Sequence, residues 1–449
     1  MLIELTVENF RSFRDATTLS MRSSREQRHN DRIARLRSRY RINVNPISVI
    51  YGANASGKTN ITRSLQYLKS VILHQRSDKQ LLPMDRFKLN AESINRPSRF
   101  SITFLDNNDI MYNYYISILD GKVEHEELYR ILSRREELIY ERSEETEFGR
   151  SINSNFVKAL GSLASPNTPL PTLASKFIRS EKNAGLQEAI DELELIAKPH
   201  TWLRNVLLIG PNRNNNPAIG IHLLDEYNLD WTKQLKSIDA GITGVEVIDV
   251  SARDLGISET EESEISDSLE EGSVEFSESG GAVFSIHRKN GELQFKEYRL
   301  AHSTGKQDRS LEWRDESDGT RRMFSLIPPL FILESNSPDR YVVILDEIDR
   351  SLHTHLSKSL VNSFLKSCSG DTRNQLIITT HDVMLMDPDV FRRDEIWIVE
   401  KESDGNSDLR ALSEYEELRK DTDLRQSYLE GRFGGIPNVG EFNFEENNV

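Results

Sequence analysis

The octapeptide GANASGKT, Gly52 to Thr59, constrains the chain more than any other segment. It follows an apolar, β-prone run, Ile47–Tyr51, that Pro46 introduces. It leads into a pattern with Ile61, Leu65, Leu68 and Ile72 at spacings of three and four, the signature of one helix face. Strand, glycine loop and helix in that order match G-x-x-x-x-G-K-[ST]. Residue frequencies give a chance match in a chain of this length of roughly 1–2%. Gly52 and Gly57 permit a tight loop whose backbone N–H groups aim at phosphate oxygens. The helix N-terminus near Lys58 adds partial positive charge. Lys58 is expected to reach the β- and γ-phosphates and Thr59 to ligate Mg²⁺. Gly52, Ala53, Asn54, Ala55, Ser56, Gly57, Lys58, Thr59 and Asn60 are therefore the candidate nucleotide-binding residues.

Three more motifs fit the same chemistry. YVVIL, Tyr341–Leu345, reads as a strand buried on both faces, and it ends in Asp346-Glu347. A carboxylate pair at the carboxyl edge of a sheet can hold Mg²⁺ through Asp346 and polarise an attacking water through Glu347. QLIITTH, Gln375–His381, is a second apolar strand, and it places His381 at its end as a γ-phosphate contact. ESDGTRR, Glu316–Arg322, precedes an apolar helical segment, Met323–Leu333, with Ser317 or Asp318 as its cap. Taken alone it carries no function.

The remaining chain is read more coarsely. At 449 residues it exceeds one hydrophobic core, so two lobes or a core with an insertion are expected. Strands are expected at Leu2–Val7 and Thr17–Met21, a hairpin at Arg99–Leu119, a helix at Ala184–Ile196, a strand at Val245–Val250 and another at Ile396–Val399. A helix is expected over Leu352–Leu365. Strands alternating with helices predict a mostly parallel sheet with crossovers. Past residue 130 the pattern reads as polar and helical. The division expected is 1–130 for the first part of the head, 131–295 for an inserted lobe of helix and strand, and 296–449 for the second part. No heptads or repeats are present. No run approaches a membrane span and the start lacks the features of a signal peptide, so a soluble cytoplasmic protein without membrane contact is expected. The single cysteine, Cys368, fits a reducing compartment.

Charge is unevenly placed. The net charge is −15, yet Arg11 to Arg41 holds ten arginines against three acids. Ser258 to Gly280 holds nine acids and no basic residue, which predicts a mobile acidic linker. The arginine stretch lacks an aromatic platform before Tyr40, so a solvated loop is the first reading and a nucleic-acid or acidic partner the second.

Together the motifs resemble the nucleotide-binding head shared by ABC transporters, SMC proteins and RecF-like repair ATPases. The set NFRSF (Asn9–Phe13), GANASGKTN, ESDGTRR, DEID with Leu352-His353, TTHD, DEIWIVEK and YLEGRFGGIP is similar to stand-alone bacterial AAA/ABC-hybrid ATPases. Their relatives include RloA-like proteins and the ATPase subunits of OLD- and PARIS-type anti-phage systems. The resemblance covers about 1–130 and 295–440. It implies an α/β P-loop ATPase head of the ABC/SMC type, a mixed sheet with flanking helices around an inserted lobe. It also implies ATP and Mg²⁺ as cofactors, hydrolysis with Glu347 and His381 as catalytic residues, Arg11 among the nucleotide contacts, and Thr59 and Asp346 as metal ligands. Such heads pair, with two ATPs sandwiched and Ser317 and Gly319 reaching the γ-phosphate bound to the opposite protomer. A head-to-head homodimer or higher oligomer is thus implied, closed by ATP and opened by hydrolysis. Two departures stand out: the signature is ESDGT rather than a serine followed by two glycines, and no glutamine fits the loop after the phosphate-binding helix. The 68 residues after His381 (382–449) are too few for a Toprim nuclease domain, and Asp387-Pro388-Asp389 reads as a turn. An anti-phage ATPase controlling a separately encoded effector, a nuclease in the first instance, is therefore the leading expectation. A RecF-like repair ATPase that clamps DNA through the arginine stretch is the alternative. A transporter subunit or a structural ATP-binding scaffold fits less well.

Overall fold

The computed structural model describes residues 1–36, 39–74, 82–180, 187–210, 241–269, 274–279, 281–303, 305, 308–334, 339–415 and 423–436. Its chain divides into two compact units. The first comprises 1–208, 338–346 and 365–449, and the second 209–337 and 347–364.

The first unit is built on two sheets. One is antiparallel and collects β1 (Leu2–Glu8), β2 (Thr17–Ser20), β6 (Ser98–Leu105), β7 (Met111–Leu119), β8 (Lys122–Ile131), β9 (Glu136–Arg142) and β10 (Thr146–Phe148). Its order is β10-β9-β8-β7-β6-β1-β2. The expected hairpin is present as β6 and β7, turned by Asp106–Asp109, where Asp106 Oδ1 accepts from Asn108 N and Ile110 N at 2.9 Å each. The helical reading past residue 130 is corrected there: β9 and β10 extend the same sheet. Their Glu, Arg and Leu content favours helix locally, but β9 pairs with β8 and β10 with β9, and these ladders outweigh propensity. A small ribbon, β3 (Ala34–Leu36) with β4 (Ile42–Val44), lies within the arginine stretch.

The other sheet carries the glycine loop. Its strands are β5 (Ile47–Gly52), β11 (Val206–Ile209), β17 (Val342–Leu345), β18 (Gln375–Thr379), β19 (Ile396–Lys401) and β20 (Ser407–Ala411), in the order β11-β17-β18-β5-β19-β20. β17, β18, β5 and β19 run parallel, and β20 closes the edge antiparallel. Every residue of β5, β17 and β18 is buried, as strands covered on both faces require. Helix α1 (Lys58–Leu73) buries Ile61, Leu65, Leu68 and Ile72 on the face that the spacing predicts. Helices α2 (Asn155–Ser162), α3 (Leu170–Ser180), α4 (Gln187–Ile196) and α5 (Lys198–Arg204) complete this unit. Residues 184–186 of the expected helix lie outside the described residues. Glu126, wholly buried on β8, accepts from Tyr114 Oη and Tyr140 Oη at 2.9 Å each and from Leu170 N, tying the antiparallel sheet to α3.

The second unit has its own sheet, β12 (Ile242–Val250), β15 (Glu292–Ser303), β14 (Ala282–Lys289) and β13 (Val274–Ser279) in that order, with β16 (Asp308–Leu311) paired to β15. Ile242, Val283, Leu300, Trp313, Met323, Phe324 and Ile327 form its core. The acidic segment is not a linker throughout. Glu259–Ser268 forms helix α6 and 274–279 forms β13. The Ser258 side chain accepts from Glu261 N while the Glu261 carboxylate accepts from Ser258 N, a capping box. Glu259, Glu261 and Glu262 in the first turn favour the helix dipole, so concentrated acid there supports order. Helix α7 (Asp318–Glu334) contains Pro328 and Pro329, and α8 (Thr354–Ser367) follows. A short α9 (Leu424–Leu429) belongs to the first unit. Among the described residues no helix is long and apolar enough to cross a membrane.

The arginine stretch is partly consumed by structure. Arg11 pairs with Asp85, Arg14 with Asp15 and Asp404, Arg22 with Glu4, and Arg32 with the buried Glu395. Burial pushes the Glu395 carboxyl up to about 7 despite the Arg32 guanidinium beside it.

Candidate functional site

The loop after β5 is shaped by close neighbours as well as by its glycines. Gly57 has φ 120°, and a Cβ there would lie 2.6 Å from Ser407 Oγ and 2.7 Å from Ser12 Oγ. Any side chain at 57 would displace both hydroxyls. Ser407 Oγ, on edge strand β20, donates to Ser56 O at 2.5 Å, and Asn60 Nδ2 donates to Ser12 Oγ at 2.8 Å. The loop is thus held from β20 and from the NFRSF turn. Ala55 adopts φ 61°, a left-handed step that turns the chain toward α1. Asn54 and Ala55 are exposed at the tip, while Ser56, Gly57 and Lys58 are buried. Lys58 Nζ donates to Gly52 O at 2.8 Å and Ala53 O at 2.9 Å, within 3.4 Å of His381 Nδ1.

Neighbouring strands bring the carboxylate to this loop. Asp346, 4% exposed at the end of β17, has Oδ1 accepting from Thr59 Oγ1 at 3.2 Å and from Thr379 Oγ1 at 2.6 Å. Thr59, Asp346 and Thr379 therefore form one hydroxyl–carboxylate–hydroxyl group at the carboxyl edge of three parallel strands. That is the donor set a hard divalent cation requires: one anionic oxygen and adjacent neutral oxygens beside a phosphate cradle. The exposed His381 lies two residues beyond the end of β18. The structure so brings together the loop, Thr59, Asp346 and His381 of the expected site.

Arg11 is not among them. Its guanidinium is held by Asp85 and its Cζ lies 5.7 Å from the Phe10 ring centre. Its neighbour Ser12 occupies the loop instead. Sequence reasoning missed Thr379, Ser407 and Ser12. Thr379 could have been found, because it precedes His381 by two on a buried strand and a buried hydroxyl requires a partner. Ser407 carries no local signal.

A second structural feature lies beneath the loop. The Tyr428 ring on α9 sits 6.0 Å from that of Tyr51, and its hydroxyl donates to Gly435 O at 2.8 Å. Burial pushes the Tyr428 phenol up to about 12, which keeps it a donor. Gly435 has φ 69°, and a Cβ there would lie 2.7 Å from Ile398 Cγ2 and 3.5 Å from Gly52 Cα. The YLEGRFGG segment thus packs against the first glycine of the loop.

In the second unit, Ser317 Oγ accepts from Thr320 N at 3.1 Å and caps α7, while Asp318 pairs with Arg321. A Cβ at Gly319 would lie 3.1 Å from Ser351 O. Glu347, one residue beyond Asp346, has φ 50°. Its carbonyl accepts from Arg322 Nη2 at 3.0 Å, and Arg322 Nη1 donates to Gly210 O at 2.8 Å. A buried arginine thereby fixes the peptide at which the chain turns left-handed after β17.

These features define a P-loop nucleotide-binding protein with a mixed sheet and flanking helices. The chain belongs to the family described as "AAA domain, putative AbiEii toxin, Type IV TA system", whose model matches residues 47–387. Among solved structures it is similar to the SMC head domain from Thermotoga maritima, at 13% identity and a TM-score of 0.33, with 91% of this chain and 98% of that chain covered. A likeness this distant says nothing of what the chain does. No curated protein matches it.

Proposed function

We propose that the protein is an ATP-hydrolysing subunit of a bacterial anti-phage system, which pairs through its ATPase heads and uses nucleotide state to control a separately encoded effector of the nuclease class. The observation that supports this most directly is the convergence of Lys58, Thr59, Asp346 and His381 at one sheet edge. Lys58 and the loop amides would bind the β- and γ-phosphates. Thr59 and Asp346 would hold Mg²⁺, which neutralises charge that develops on the phosphates. Glu347 would orient the attacking water and accept its proton, and His381 would contact the γ-phosphate. Ser317 and the Gly319 amide, at the N-terminus of α7, would meet the γ-phosphate of the partner protomer's nucleotide.

Two experiments test the parts. Thr379→Val keeps shape and removes the donor to Asp346, so the Mg²⁺ concentration needed for half-maximal turnover should rise about tenfold with ATP affinity little changed. An unaltered Mg²⁺ dependence would exclude Thr379 from orienting the carboxylate. For pairing, Lys58→Ala and Ser317→Arg should each be inactive alone, and their mixture should regain one working composite site. A mixture as inactive as its components would speak against the sandwich.

One observation favours the RecF-like alternative: Arg25, Arg39 and Arg41 form no ion pair among the described residues. Mass photometry with ATP, with and without duplex DNA, separates the readings. Assembly without DNA supports an effector-controlling sensor, and assembly only with DNA supports the clamp.

A further inference from the structure

We propose a second metal site, independent of the nucleotide, on the antiparallel sheet: His125 and Glu127 of β8 with Glu141 of β9, suited to Zn²⁺. His125 and Glu127 are two apart on one strand and share a face. Glu141 stands directly opposite Glu127 in the β8–β9 register. One donor atom from each lies within 4.8 Å of the other two. His125 Nε2 contacts Glu127 Oε1 and is 3.9 Å from Glu141 Oε1. Three donors of a tetrahedral Zn²⁺ with ~2.1 Å bonds lie about 3.4 Å apart, so modest side-chain rotation closes the set without moving the backbone.

The surroundings argue for a cation. Like charges facing each other across strands destabilise a sheet. Glu127 and Glu141 do so, and the nearby arginines are committed elsewhere: Arg142 to Glu126, Arg130 to Glu137, Arg99 to Glu8. Among the described residues no lysine or arginine pairs with either carboxylate, and His125 is the basic group beside them. A protonated imidazole offsets one of the two charges, whereas a divalent ion offsets both and leaves His125 neutral as a ligand. The Tyr115 ring, on the residue opposite Glu127, lies 5.7 Å from the imidazole and limits where it can turn. One nitrogen and two carboxylate oxygens suit Zn²⁺ over Ca²⁺ or Mg²⁺, which take oxygen alone. The side chains are 26%, 27% and 44% exposed, so a fourth position opens to water.

The test is calorimetric titration of ZnCl₂ into the EDTA-treated full-length protein without nucleotide. One equivalent is expected to bind, with a Zn²⁺-dependent rise in melting temperature. His125→Ala and Glu141→Gln should each weaken that binding at least about tenfold and abolish the thermal shift. Both should retain parental ATP binding, which shows that they are folded. No saturable uptake by the parent, or equal uptake by parent and variants, overturns the site.

Discussion

Glu347→Gln is expected to bind ATP as tightly as the parent, turn it over about a hundredfold more slowly or worse, and accumulate a paired species in ATP that the parent shows only transiently. The rate follows from the role: a general base that positions water and takes its proton contributes 10²–10⁴-fold, and a glutamine keeps the size while losing the basicity. Glu347 sits at φ 50°, a conformation set by the chain turn and by the Arg322 contact to its carbonyl, neither of which involves its carboxylate. The carboxylate forms an ion pair with Arg350 at 3.6 Å, whose side chain is 52% exposed, so losing that pair should shift the melting temperature little. Single-turnover phosphate release and mass photometry read the two consequences separately. Turnover at the parental rate would remove Glu347 from catalysis. Slow turnover without accumulation of pairs would keep the base and discard the pairing.

What the sequence revealed depended on where the information for each element is stored. β5, β17, β18 and the first four residues of β19, Ile396–Val399, are buried on both faces, so their identity is written as continuous apolar runs that need no knowledge of neighbours. The octapeptide is legible because its chemistry requires particular residues at fixed spacing. β8 to β10 were not legible. KVEHEELYRI and EELIYER alternate imperfectly and are rich in helix formers, and what makes them strands is an existing edge on β7. The acidic segment misled for a different reason. Its composition resembles disorder, while the ordering signal is Ser258 followed three residues later by Glu261, a pattern four residues long inside a run of like charge. Site residues divide in the same way. Lys58, Asp346 and His381 belong to motifs that state their chemistry, whereas Ser407 meets Ser56 from 351 residues away and Ser12, though inside NFRSF, meets Asn60 from 48 residues away, at contacts that only folding creates.

Lys58→Ala is expected to lower ATP affinity by roughly two orders of magnitude and to abolish turnover and ATP-dependent pairing together. Lys58 Nζ makes bonds of 2.8 and 2.9 Å to the carbonyls of Gly52 and Ala53, from a side chain that is 5% exposed. The ammonium is therefore already desolvated and aimed into the loop before phosphate arrives, so little ordering remains to be done on binding. Two charge-assisted bonds to phosphate at about 1.5 kcal/mol each sum to about 3 kcal/mol, which is roughly 150-fold in affinity. Alanine also removes the donor that draws the two carbonyls together, and Gly52 O then faces the cradle uncompensated, repelling phosphate rather than merely failing to attract it. Lys58→Arg separates these effects. It keeps the charge, but the planar guanidinium cannot fit the span between two carbonyls set for a point donor, so affinity should fall between those of parent and alanine. If titration with a fluorescent ATP analogue gave arginine and alanine equal losses, geometry rather than charge would dominate. If alanine bound like the parent, phosphate recognition would rest on the loop amides and the α1 N-terminus alone.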